Sequence, residues 1–130
     1  MRERPLSPHL SVYKFKYTLV TSILNRLTGL ALSLGLLLFV YWLTALSSGA
    51  QAYARALPLL SHVAAKALYA GLLVAFCYHL VAGIRHLIWD TGRGLERAQA
   101  YRSSWMLAAG TAILSLLFGY FLFCPVAGVS

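Results

Sequence analysis

Charge is what this chain has least of. Only 11% of its 130 residues are Asp, Glu, Lys or Arg, against 60% hydrophobic, and this excludes a soluble domain, which needs far more polar surface to stay in solution. Cysteine is scarce as well. Cys77 and Cys124 stand alone, without metal-type spacing, and Cys77-Tyr78-His79 lacks the C-x-x-C-H pattern of covalent haem attachment. A basic patch on a folded polar domain is also missing. The formal charge of +8 is divided between the flanks of apolar stretches, which argues against nucleic acid as a partner. The first residues run into Pro5, Ser7, Pro8 and His9 without the charged start, apolar core and small-residue cleavage site of a secretory signal, and they do not resemble a transit peptide. A bacterial inner membrane is therefore expected in preference to a nuclear-encoded mitochondrial precursor. There is no internal repeat.

What the chain does have is long uncharged runs: Leu27 to Ala54, Ala67 to Ile84, and Ser103 to the C-terminus. Each is near or above the roughly 18 to 20 residues that cross a hydrocarbon core. The expected fold is an all-α membrane protein, a single anchor domain over residues 1–130 with transmembrane helices at about 21–46, 61–89 and 104–123. Residues 1–20 form an arm in which Pro5 and Pro8 disfavour helix, and the arm is expected to touch another protein. Residues 50–57 are expected to form a small external helix ending before Pro58.

Arg2, Arg4, Lys14 and Lys16 precede the first span, and Arg85, Arg93, Arg97 and Arg102 surround the link between spans two and three. The other flanks carry little beyond Arg55 and Lys66. This asymmetry predicts a cytoplasmic N-terminus and a C-terminus on the periplasmic side. Ala64, Ala65, Gly71, Ala75 and Gly83 in span two are small enough for another backbone to come close, which points to a partner.

The most informative stretch runs from Tyr78 to Asp90. At about 100° per residue, Gly83, His86 and Asp90 return to nearly the azimuth of His79, so one stripe carries two imidazoles, a carboxylate and a bare backbone position. Burying a protonated histidine at mid-membrane costs on the order of 2 to 3 kcal/mol, and a neutral imidazole still needs partners for both nitrogens. A serine or carbonyl on a neighbouring helix, a metal, a haem or a proton relay each meets that need. His86 lies about 10 Å along the axis from His79, a distance that suits a porphyrin on edge with its propionates toward His86. Asp90 is placed to accept from His86 at i,i+4. Arg85, about 120° from the stripe, is expected to mark the inner boundary or to meet a subunit.

A second polar cluster opens span one: Ser22-Ile23-Leu24-Asn25-Arg26-Leu27-Thr28-Gly29. Ser22 and Arg26 share a face, and a hydroxyl beside a guanidinium can hold and polarise a quinone carbonyl. Read without that context, the same residues make an ordinary helix start with an interfacial arginine.

Arg4-Pro5-Leu6-Ser7-Pro8-His9-Leu10-Ser11-Val12-Tyr13, Ser22 through Gly29, and His79 through Gly83-Ile84-Arg85-His86-Leu87 to Asp90 together resemble the cytochrome b556 family of succinate dehydrogenase membrane anchors, the large anchor of respiratory complex II. The resemblance spans nearly the whole chain. It implies three helices bundled with a second, small hydrophobic anchor subunit. It also implies one haem b between the two, with His79 as this chain's axial ligand, and Arg26 and His86 near the propionates. A ubiquinone site shared with the iron-sulfur subunit is implied at Ser22 and Arg26, while succinate is oxidised on the flavoprotein subunit. The family commonly has histidine just before the span-one arginine. This chain has Asn25, which cannot take up a proton near neutral pH, so a partner residue or water is expected to deliver the quinone protons. Rival readings are a fumarate reductase anchor, a proton or ion transporter subunit with a His79, His86 and Asp90 relay, and an anchor lacking cofactor.

Overall fold

The structure is a computed structural model that describes residues 17–124; the expected arm, apart from its last four residues, lies outside them. Four helices follow one another: α1 Tyr17–Ser47, α2 Ala50–Leu60, α3 Val63–Asp90 and α4 Arg97–Phe123. Three are long and apolar enough to cross a membrane: Leu19–Ser47, Val63–Asp90 and Ala98–Leu122. The chain is an all-α, multi-pass membrane protein. At about 1.5 Å per residue, α3 is about 42 Å long and exceeds a hydrocarbon core of about 30 Å.

α1 ends where Ser47 and Ser48 turn their hydroxyls onto the Thr44 carbonyl, and Gly49 then takes a positive φ of 95°, which only glycine adopts without strain. α2 runs past Pro58 to Leu60, where the sequence suggested an end before the proline. Pro58 stands in the last turn, so its missing N–H costs one bond only, and Ser61 closes the helix by donating its backbone N–H to the Leu57 carbonyl at 2.8 Å. Burial of Ala56 and Leu60 against Ala45, Leu38 and Trp42 of α1 holds the segment in place. α3 starts after His62, whose Nδ1 accepts the Ala64 backbone N–H at 3.2 Å as an N-cap. α4 begins at Arg97, seven residues before the expected start at 104.

α1 and α3 run antiparallel, as do α3 and α4, so the start of α1, the end of α3 and the start of α4 lie at one end of the bundle. Most large apolar side chains stay exposed, among them Leu34, Leu37, Met106, Leu116 and Leu122, as expected where lipid or another chain replaces water. The buried interior is narrow: beyond the α1–α2 contact it holds Thr21 of α1, Cys77, Ala82 and Arg85 of α3, and Ser104 and Leu107 of α4. Close helix approach falls on Gly35, whose added Cβ would stand 2.8 Å from the Leu72 side chain, and on Gly110 against Val81 at 3.5 Å. Among the described residues, none comes within 4 Å of a Cβ at Gly71 or Gly83.

Candidate cofactor and quinone site

His79 lies in the interior of α3, half-buried, with its ring against α1. Its Nδ1 is 3.2 Å from the Asn25 carbonyl oxygen and 3.3 Å from Thr28 Oγ1. The ring also sits over Gly29, where a Cβ would meet His79 Cε1 at 3.1 Å. One turn of α1, residues 25–29, therefore forms the seat of this imidazole. Beside it, Asn25 Oδ1 is buried and meets no donor among the described residues.

Ser22 and Arg26 precede and share this turn of α1. Ser22 is half-buried and Arg26 exposed. Tyr78 donates its hydroxyl to the Thr21 carbonyl at 2.9 Å, and Arg85 donates to Thr21 Oγ1 at 3.3 Å. The α3 turn that carries His86 is thus tied to the α1 turn that carries Ser22. His86 packs edge-on against Trp89, with centroids 5.3 Å apart. Among the described residues no hydrogen bond joins His86 to Asp90, and Asp90 is exposed; the i,i+4 pairing suggested by their spacing is not formed.

Arg85, expected to mark the inner boundary or to meet a subunit, is buried by the helices of its own chain. Besides Thr21 it donates to the Ala100 carbonyl at 3.2 Å and to Ser104 Oγ at 3.0 Å, and its guanidinium lies 4.1 Å from the Trp89 ring centroid. A charged side chain near a membrane needs such partners, and the early start of α4 supplies one of them, the Ala100 carbonyl. The polar Ser103-Ser104 entry into span three was the signal available in the sequence, but it does not say which residue across the bundle it meets. Thr28 was likewise visible only as part of a motif. No three of the described His, Cys, Asp and Glu residues converge as a metal-binding group, so a metal held by this chain's side chains alone has no site among them.

The comparisons with known proteins bear on most of the chain. The family described as succinate dehydrogenase/fumarate reductase transmembrane subunit matches residues 1–118. The chain belongs to that family. It is 43% identical over 114 residues to the succinate dehydrogenase cytochrome b556 subunit of Paracoccus denitrificans, covering 88% of each chain. The cytochrome b556 subunit of Rickettsia prowazekii is 36% identical over 115 residues, 88% of this chain and 90% of that one. The human mitochondrial cytochrome b560 subunit is 37% identical over 119 residues, 87% of this chain and 68% of the human one. Members of the family thus occur in bacteria and in mitochondria, and this chain shares with them most of its described length.

Proposed function

We propose that this chain is a membrane-anchoring cytochrome b subunit of succinate dehydrogenase, with His79 as one of two axial ligands of a haem b and Ser22 and Arg26 lining a ubiquinone site. Family membership carries the anchor role, and the seating of His79 on α1 carries the ligand role. Metal-bound histidines characteristically give their second ring nitrogen to a carbonyl, and His79 has that arrangement with Asn25.

The residues fit a porphyrin on further grounds. Among the described residues the α3 surface at Gly83 is open, on the same stripe as His79 and His86. A haem held there supplies one-electron redox capacity inside the membrane. The second imidazole comes from a small hydrophobic partner subunit, whose helices cover the exposed apolar flanks. Arg26 and His86 would hold the propionates.

Ser22 and Arg26 do the work at the quinone. The serine hydroxyl donates to one carbonyl oxygen, and the guanidinium stabilises the negative charge that two-electron reduction builds on it. Asn25 accepts or donates hydrogen bonds there but moves no proton, so the two protons arrive through water or the iron-sulfur subunit docked on this face. The flavoprotein subunit oxidises succinate, and this chain has no turnover alone. Arg93, Arg102 and the basic N-terminal residues lie on the cytoplasmic side of a bacterial inner membrane, with the C-terminus periplasmic. A His79, His86 and Asp90 proton relay lacks support, because His79 faces α1 and His86 packs on Trp89.

The test is a reduced-minus-oxidised spectrum of the complex carrying His79→Leu. Loss or displacement of the haem b bands is expected; an unchanged spectrum rules the ligand role out.

A further inference from the structure

His79 offers two nitrogens, and the contacts of Nδ1 decide which one is available for coordination. The Asn25 carbonyl has no hydrogen to give, so its 3.2 Å approach to Nδ1 is a hydrogen bond only if Nδ1 carries the proton; with the proton on Nε2, two lone pairs would face each other. The Thr28 hydroxyl agrees with that assignment. Its own hydrogen is directed back along α1, to the Leu24 carbonyl at 2.8 Å or the Asn25 carbonyl at 3.0 Å, as Ser33 and Thr44 do toward Gly29 and Val40. A lone pair of Thr28 Oγ1 is then left for the Nδ1 proton at 3.3 Å. Gly29 completes the arrangement by allowing the ring to lie on the helix backbone, with Cε1 where a side chain would begin.

We propose that Thr28, together with the Asn25 carbonyl, is a positioning residue that locks His79 as the Nδ1–H tautomer and presents the Nε2 lone pair to the haem iron, and that the Thr28 hydroxyl thereby lowers the reduction potential of that iron. This rests on the axial-ligand reading of His79. An imidazole whose N–H is shared by two oxygen acceptors carries more electron density on its other nitrogen, binds iron more strongly and favours the oxidised state. Thr28 acts through His79 alone; neither contact requires it to touch the porphyrin.

The experiment compares Thr28→Val, which keeps the shape and removes the oxygen, with Thr28→Ser, which keeps the oxygen, in the assembled complex. The readouts are haem content, the midpoint potential from a redox titration, and the low-spin ferric EPR spectrum. Thr28→Val is expected to raise the midpoint potential, to move the EPR g-values and to weaken haem retention about tenfold, while Thr28→Ser stays at the wild-type values. Loss of haem in the valine variant with retention in the serine variant also supports the role of the hydroxyl. A valine variant with haem, potential and EPR spectrum all unchanged overturns the inference and leaves His79 as ligand intact, as does loss of haem in both variants, which would assign Thr28 to packing. An unchanged haem spectrum in His79→Leu overturns the ligand reading itself.

Discussion

The two ends of this bundle are held by different physics. At the end where α1 begins and α3 finishes, side chains bond across helices: Tyr78 and Arg85 to Thr21, Arg85 to Ala100 and Ser104, and His79 to Asn25 and Thr28. At the α2 end the contacts are apolar. Ala45, Ala56 and Leu60 pack with Leu38 and Trp42, and a groove of about 480 Å³ opens among Gly35, Phe39, Trp42, Leu57 and Leu72. Among the described residues, the one side-chain bond between helices there runs from the Tyr69 hydroxyl to the Leu60 carbonyl at 3.0 Å. Apolar packing inside a membrane tolerates rearrangement, because lipid is an equally apolar alternative. A hydrogen bond fixes azimuth and depth together. That fixed geometry is what supports the proposal of a cofactor and its substrate at the polar end.

That contrast can be broken most forcefully at Arg85. Arg85→Leu removes three hydrogen bonds between helices, each worth about 0.6 kcal/mol in a membrane, and leaves the buried Ser104 facing leucine. About 2 kcal/mol of anchor stability is expected to disappear, read as a lower midpoint in thermal unfolding of the detergent-solubilised complex. A midpoint unmoved by the change would mean that the polar end is not the more tightly specified one. The apolar end is tested next at Gly35. Gly35→Ala drives a methyl toward Leu72 Cδ2 and is expected to cost about 1 kcal/mol, at the low end of overpacking, with the cost falling when Leu72→Ala is added. Strict additivity of the two changes would show that the helices do not meet there as described.

A smaller effect is expected from Tyr69→Phe. It deletes a side-chain bond that joins α3 to α2 and should cost about 0.6 kcal/mol; a loss as large as that of Arg85→Leu would erase the distinction between the ends. The least disturbance is expected from Asn25→His. The bond to His79 comes from the Asn25 backbone carbonyl, which the substitution keeps, so haem content should match the wild type, and loss of haem in that variant would refute the assignment of this turn.

The spans were legible from the absence of charge, because a run such as Ser103 to the C-terminus has no alternative home to a bilayer. Their ends were less so. α1 reaches back to Tyr17 and α4 to Arg97, since a charged residue marks where the hydrocarbon stops and not where backbone hydrogen bonding stops. The His79 stripe could be drawn from helical periodicity alone. The position of Arg85 could not, because periodicity places a residue around its own helix and is silent on how a second helix is rotated. Arg85 and its acceptors Ala100 and Ser104 lie on separate helices; both bonds depend on that rotation, and the one to Ala100 depends also on seven further residues of α4 being helical. The seat of His79 on Asn25 and Gly29 was hidden for a related reason: half of it is backbone, and a carbonyl leaves no trace in the residue type.

The central claim is that the imidazole at position 79 is a ligand to a tetrapyrrole iron, oriented from behind by the first part of α1. An experimental structure of the assembled complex tests it most directly. The account predicts the iron at bonding distance from His79 Nε2, with Nδ1 still turned to Asn25 and Thr28. A His79 ring bonded only to protein or turned to lipid, with the haem held by other residues, would contradict it.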